Sequence, residues 1–423
     1  MSPSEQQHLI IVGAGQAAAQ AVQTARQGGF DGSITLIGRE RYPPYQRPPL
    51  SKKYLAGELA RERLWLRPES FYRDKDVRLE LGVAVERVDR DRARVHLSDG
   101  RALDYGYLLL ATGSRPRRLE VPGAELRGIH YLRAIDDVDG IAADFAPGRK
   151  LVLIGAGYIG LEVAAVAAQR GLDVTVLEAA DRIMGRVVGA EISAFYARYH
   201  AERGVHIRCN TPVTGFAGGG RVEGVETPAG RVPCDVAVVG IGVVPNVELA
   251  EQAGLACDDG ILVDAFARTE DPRVLAAGDC TRHPHPLFDY RVRLESVQNA
   301  IEQAKAAASN LTSAPRRYDE VPWFWSDQYD LKLQIAGLAR GYDESVVRGS
   351  VEQRAFSVLY LREGRLIAVE AVNSPRDFMA GRKLIAAGLA ASRDDFADAA
   401  DLAALAARAE SARDKDNNKD DKD

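Results

Sequence analysis

A chain of 423 residues is long enough for about two to four domains, and its 46% apolar and 27% charged content is that of an ordinary soluble globular protein. A net charge of −5 carries no whole-chain basic footprint for nucleic acid, and no apolar run nears the roughly 18 residues of a membrane span. The polar first residues are not expected to be a signal peptide, and Cys209, Cys234, Cys257 and Cys280, widely spaced and without a CxxC pair, point to a reduced cytoplasmic protein.

In chain order, His8–Val12 predicts an apolar strand that runs into a GxGxxA turn, Gly13 to Ala18. An alanine-rich helix to about Gln27 and a second strand, Ser33–Gly38, complete a βαβ unit with a dinucleotide fingerprint. An acid should follow that strand to hold a ribose. Arg39 stands there and Glu40 comes next, so either Glu40 or the backbone takes the contact. From composition the Pro-rich run from Pro43 to Lys52 reads first as a rigid surface connector, with a loop that presents Lys52 to a ligand as the alternative. Strands are expected from Val77 to Leu110, with a turn at Ser98-Asp99-Gly100. The last of them, Tyr107–Leu110, ends in Ala111-Thr112-Gly113, either a ligand-approaching glycine turn or plain loop punctuation.

Beyond a linker that carries Arg133, Leu151–Glu162 reads LVLIGAGYIGLE, again strand, glycine turn and helix. Gly155 permits the turn, Gly157 lets a pyrophosphate approach the backbone, and Gly160 lets helix and strand pack. Helix N–H groups then face the phosphates. Glu178, 23 residues after Gly155, ends the next strand, where a ribose hydroxyl needs an acid. A helix over about 189–202, strands at 205–208 and 221–227, and a buried strand Asp235–Val239 ending in Gly240-Ile241-Gly242 follow. Arg273–Ala277 is a short strand closed by Gly278-Asp279, where Asp279 either meets a ligand hydroxyl or caps a turn. Val297–Leu311 is an alanine-rich helix. The His283-Pro284-His285-Pro286 run is expected at the surface rather than on a metal. From Val321 the pattern turns aromatic and strand-like, with a hairpin at Glu363-Gly364 and a helix over 377–391. Arg413–Asp423 is charged and low in complexity, an expected disordered tail.

The two glycine turns lie 142 residues apart in matching surroundings, which argues for two nucleotide-binding domains, one ligand donating to the other. The predicted fold class is α/β, with two Rossmann-like dinucleotide-binding domains and a C-terminal α+β domain. The expected boundaries are 1–115 with 244–320, 116–243, and 321–412, with the tail at 413–423.

Six motifs carry a family resemblance: RPPLSK (47–52), ATGSRPR (111–117), GAGYIGLE (155–162), GIGVVPN (240–246), AAGDC (276–280) and PWFWSDQY (322–329). They resemble the FAD-dependent, NAD(P)H-linked pyridine nucleotide oxidoreductases of the glutathione-reductase fold, and within them the ferredoxin reductases of bacterial oxygenase systems. The resemblance implies that Gly13, Gly15, Ala18, Thr112 and Gly113 hold FAD. It implies that Arg133 and Asp279 contact the phosphate and ribityl parts, that Val297 and Trp325 abut the ring, and that Lys52 lies beside it. Gly155, Gly157, Ile159 and Gly160 would hold NADH with Glu178 on its ribose, and Glu162 and Gly242 would lie towards the nicotinamide. Lys52 and Glu162 are then the expected catalytic pair.

Disulfide reductases of this fold need a redox cysteine pair after the first nucleotide unit, and the related peroxidases a single one. This chain has no cysteine before Cys209, so electrons are expected to leave from the flavin itself. The implied partner is an acidic [2Fe-2S] ferredoxin serving a haem-thiolate monooxygenase, met by basic residues among Arg67, Arg293, Lys305, Arg316 and Arg317. The alternatives are a rubredoxin, a dioxygenase ferredoxin, or an NADH oxidase or peroxidase activity. The protein is expected to be a monomer or weak dimer without nucleic-acid, membrane or metal sites. Glu178 favours NADH over NADPH, with Arg182 and Arg186 nearby to weaken that preference.

Overall fold

The computed structural model describes residues 7–312, 314–398 and 402–407; the expected tail at 413–423 lies outside the described residues. The chain divides into two compact units, Met1–Pro49 with Leu59–Arg115 and Val243–Glu320, and Leu50–Glu58 with Pro116–Gly242 and Val321–Asp423. The short segment that bears Lys52 therefore belongs with the second unit, which the sequence did not suggest.

The first unit is built on a parallel sheet in the order Val274–Ala276, Tyr107–Leu110, Leu9–Val12, Ile34–Gly38, Val77–Leu81. Leu9, Ile10 and Ile11 have no exposed surface, because a central parallel strand is covered on both faces and has no polar side. The helices Gln16–Gln27 and Val297–Ser309 pack on each other through Ala18, Ala21, Ala25, Ala300, Ala304 and Ala307, whose small side chains allow close approach. The chain leaves Leu9–Val12 to one side and returns on the other. A crevice therefore opens between the carboxyl ends of Leu9–Val12 and Tyr107–Leu110, the position where open α/β sheets bind ligands.

The second unit repeats the plan with His206–Arg208, Asp173–Leu177, Lys150–Ile154, Val236–Val239 and Ile129–Tyr131. Here the switch falls between the ends of Lys150–Ile154 and Val236–Val239. The unit also holds an antiparallel sheet in the order Trp323–Gln328, Leu331–Gly337, Arg365–Val372, Ala355–Arg362, Glu344–Ser350. The helix on that sheet runs from Pro375 to Ala387, not over 377–391. Pro375 is preorganised for a first turn, and Gly388, at φ +64°, adopts the left-handed conformation that ends it.

Glu370 of this sheet is buried, with Tyr360 Oη donating to its Oε2 at 2.7 Å. It also accepts the N–H of Gly189, which opens the helix Ala190–Ala201, at 3.1 and 3.2 Å. Any side chain at residue 189 would place a Cβ 2.0 Å from the Tyr360 hydroxyl. Burial pushes the Glu370 carboxyl up to about 7, with Glu191 adding to the rise and Tyr360, Gly189 and Arg182 opposing it. An unfolded carboxyl titrates near 4.3. Between those values the folded state holds a proton that the unfolded state does not. The resulting stability is full below about pH 4.5 and is lost as pH rises through about 7. Glu370→Gln should remove this component, worth about 3 kcal/mol across the window. Denaturant midpoints of both proteins at pH 5 and pH 8 measure it, and equal pH slopes would refute it.

Candidate functional site

Each glycine turn assigns different work to its glycines. Gly13 has φ +117°, and a Cβ there would lie 2.1 Å from the carbonyl oxygen of Ala111; Gly155 has φ +94°, and its Cβ would lie 2.5 Å from that of Gly240. Only glycine fits where the turn passes this close to the neighbouring strand end. Gly15 and Gly157 differ: each caps a helix without a side-chain bond, and the place of its missing Cβ is open. Unpaired helix N–H groups beside bare backbone make an anion cradle. Dinucleotide phosphates fit both turns. At the third position a Cβ on Gly160 would meet the Gly155 carbonyl at 2.4 Å, whereas Ala18 is accommodated in the other turn and fully buried.

The first unit gathers Gly13, Gly15, Ala18, Thr112, Gly113, Asp279 and Val297. Thr112 and Asn246 exchange hydrogen bonds, Thr112 Oγ1 to the Asn246 carbonyl at 2.7 Å and Asn246 Nδ2 to the Thr112 carbonyl at 2.8 Å. Asn246 N–H also donates to the Gly113 carbonyl at 2.9 Å. Asn246 thus holds the ATG turn open. The sequence offered it only as the last residue of GIGVVPN. Asp279 Oδ2 accepts from Ser114 Oγ at 2.9 Å. Val297 starts a helix whose N-cap, Ser296, accepts from the Asn299 N–H. Glu40 accepts from Tyr45 Oη at 2.5 Å and Arg47 Nη2 at 2.6 Å. Its carboxylate thereby ties the Pro-rich segment to the end of the second strand.

His283 and His285 are buried, contrary to the surface position expected for them. Both rings pack against Tyr318, at 5.0 and 5.9 Å between centroids, and His285 Nε2 bonds the Glu320 carbonyl at 3.0 Å. Burial drives His283 down to about 3, so it stays neutral. The basic candidates are largely occupied. Arg293 pairs with Asp259 and Glu295, Lys305 with Glu302, and Arg316 with Glu302 and Glu320. Arg67 bonds Gln23, and the Arg317 guanidinium lies over the Phe266 ring.

The second unit gathers Lys52, Arg133, Gly155, Gly157, Ile159, Gly160, Glu162, Glu178, Gly242 and Trp325. Glu178 Oε2 accepts the Ala156 N–H at 2.7 Å and Oε1 the Ala180 N–H at 2.9 Å. Two backbone donors therefore fix this carboxylate beside the glycine turn. Ile159 is 44% exposed, unusual for its size, on the first turn of the helix. Gly242 has φ +94°, and its carbonyl accepts from the Arg117 N–H at 2.9 Å. The Arg133 N–H donates to Asp137 Oδ2 at 3.0 Å. Trp325 is half-buried, its ring 5.7 Å from that of Trp323.

Lys52 and Glu162 meet, with Nζ 2.7 Å from Oε2 and side chains 16% and 4% exposed. Ser51 Oγ donates to the same oxygen at 2.5 Å, and Ser326 Oγ to Oε1 at 2.6 Å. A buried carboxylate needs such donors, since removal from water is otherwise costly. Ser51 and Ser326 lie inside RPPLSK and PWFWSDQY, but nothing in either motif marks them. Cys209, Cys234, Cys257 and Cys280 are free thiols, and burial raises all four, Cys234 to about 12, which disfavours their thiolate forms.

The pyridine nucleotide-disulphide oxidoreductase family matches residues 7–304, and a reductase C-terminal family matches 323–406. The chain is 49% identical over 392 residues to rhodocoxin reductase of Rhodococcus erythropolis, spanning 92% of each chain. It is 45% identical over 383 residues to a ferredoxin–NAD(P)(+) reductase of Sphingomonas sp, spanning 90% of this chain and 92% of that one. The structure aligns with the reductase in the crystal structure of the covalent putidaredoxin reductase–putidaredoxin complex with a TM-score of 0.92 at 42% identity, over 95% of this chain and 99% of that one.

Proposed function

Given that this chain belongs to the pyridine nucleotide-disulphide oxidoreductase family, we propose that it takes hydride from NADH onto FAD and passes single electrons to a [2Fe-2S] ferredoxin that serves a haem-thiolate monooxygenase. The chain is an oxidoreductase of the ferredoxin-reductase kind, with FAD and NAD(H) as its cofactors. When bound, NADH supplies the hydride, and FAD takes up the electron pair and gives electrons out singly. The observation that carries the reading is the pair of open glycine cradles, one on each parallel sheet. The likeness to a ferredoxin reductase and to the reductase of the putidaredoxin complex supports the choice of acceptor.

Residue by residue, Gly13, Gly15 and Ala18 with the helix Gln16–Gln27 bind the FAD pyrophosphate. Thr112, Gly113, Asp279 and Val297 line that site, and Arg133 and Trp325 contribute to the phosphate contact and the ring cover. Gly155, Gly157, Ile159 and Gly160 bind NADH, Glu178 takes its adenosine ribose, and Gly242 lies towards the nicotinamide. Glu162 holds Lys52, whose charge offsets the charge gained by the reacting ring. In domain terms, 1–115 with 244–320 binds FAD, 116–243 binds NADH, and 321–412 completes the enzyme, which acts in the cytoplasm as a monomer or weak dimer. An acidic ferredoxin would be met by Arg67 and Arg317, because Arg293, Lys305 and Arg316 are neutralised by adjacent carboxylates.

The purified yellow protein should reduce one or more of a panel of [2Fe-2S] ferredoxins with NADH, and that rate should fall with added salt. NADH consumption with oxygen alone, no faster with any ferredoxin, would instead indicate an oxidase. Reduction confined to rubredoxin would change the acceptor.

A further inference from the structure

A chain of buried polar side chains runs away from the Lys52–Glu162 pair. Ser326 Oγ lies 2.6 Å from Glu162 Oε1, Gln328 Nε2 lies 3.1 Å from Ser326 Oγ, and His200 Nε2 lies 2.8 Å from Gln328 Oε1. The Tyr329 hydroxyl stands 3.4 Å from the other His200 nitrogen, Nδ1. Ser326 and His200 have no exposed surface and Gln328 has 1%. Ser326 and Gln328 are two residues apart on the strand Trp323–Gln328 and so share one face, while Trp325 points to the other. His200 comes from the helix Ala190–Ala201.

The direction of every proton in this chain follows from its end. An ionised carboxylate only accepts, so the single Ser326 proton goes to Glu162. Ser326 must then accept from Gln328, which turns the Gln328 NH₂ towards it and its oxygen towards His200. An amide oxygen cannot donate, so His200 carries its proton on Nε2 and is left with a bare Nδ1 that accepts from Tyr329. All the donors thus point one way, towards Glu162. Hydrogen bonds aligned in series polarise one another.

We propose that Ser326, Gln328 and His200 are positioning residues for hydride transfer, a donor relay that keeps the Glu162 carboxylate oriented so that it holds Lys52 in place. This rests on the role given above to Lys52 and Glu162. Apolar side chains at these three positions could fill the space, but they would leave Oε1 of the buried Glu162 without its donor. Burial lowers His200 to about 4, with Gln328 opposing the fall and Arg203 adding to it, so the ring stays neutral and the relay does not reverse near neutral pH. The phenols of Tyr158 and Tyr196 also feel the Glu162 charge, and both are held protonated chiefly by burial.

The test uses the FAD-loaded protein with Ser326→Ala, Gln328→Met and His200→Phe. An infrared difference spectrum, with the Glu162 carboxylate band identified by its loss in Glu162→Gln, reads the hydrogen bonding of this carboxylate directly. That band should shift most in Ser326→Ala, less in Gln328→Met, and least in His200→Phe. The limiting rate of NADH-driven flavin reduction should fall in the same order, while the NADH dissociation constant stays within about twofold. His200→Gln, which keeps a donor towards Gln328, should restore the wild-type band and rate. General loosening would lower melting temperatures without this graded order. An unmoved band in the folded variants overturns the relay. A band that moves with no change in flavin reduction removes the role of Lys52 and Glu162, and the proposal with it. Neither readout depends on which protein takes the electrons, so a wrong acceptor leaves the test standing.

Discussion

Lys52→Met should slow reduction of the bound flavin by NADH by about 10²-fold, the usual cost of removing one donor that faces developing charge. Met keeps most of the aliphatic stem, so the loss is one of charge rather than of packing. Glu162 is 4% exposed, and without Lys52 it retains only Ser51 and Ser326 among its named donors. Removing one partner of a buried pair strands the other, typically at about 3–5 kcal/mol. Single-turnover stopped-flow reduction over a range of NADH concentrations separates the limiting rate from binding. A limiting rate equal to that of the wild type would end the catalytic assignment of Lys52.

The second large effect concerns the nucleotide. Ala156 and Ala180 fix both oxygens of Glu178 through their N–H groups, so the carboxylate cannot swing away from a 2′-phosphate. Two unit charges about 4 Å apart near a protein surface repel by about 4 kcal/mol. The dianionic phosphate of NADPH should therefore be disfavoured by at least about 10²-fold in kcat/KM. Arg182 does not offset this freely, since its guanidinium already donates to the Val188 and Gly185 carbonyls at 2.8 and 2.9 Å. Glu178→Ala should shrink the NADH preference to about tenfold or less, chiefly by improving NADPH. Steady-state kcat/KM for both nucleotides decides the matter; an equal ratio in wild type and variant would remove Glu178 from specificity.

The two βαβ units were legible because every signal in them is local. Strand, glycine turn and helix lie within about 20 residues, and buried parallel strands read as unbroken apolar runs. Gly155 and Glu178 both follow the carboxyl ends of neighbouring parallel strands, a placement that their spacing in the sequence also carries. Apolar periodicity continues past Ala387 and so extends the helix in the sequence pattern, while a single left-handed residue, Gly388, stops the backbone. His283 and His285 lie in a Pro-containing run that looks like surface, and only the packing of Tyr318 against them shows otherwise.

By itself, the sequence determined the two glycine turns, the acid after the strand Asp173–Leu177, and the lack of any early thiol, because each depends on residues close together or on simple absence. Tertiary structure alone decided what surrounds Glu162. Ser51, Lys52 and Ser326 reach Glu162 across 111, 110 and 164 residues of chain, and His200 reaches Gln328 across 128, and no residue type or spacing announces such contacts. A hydrogen-bonded group acquires its direction only when its partner has a position, and that position is set by the fold.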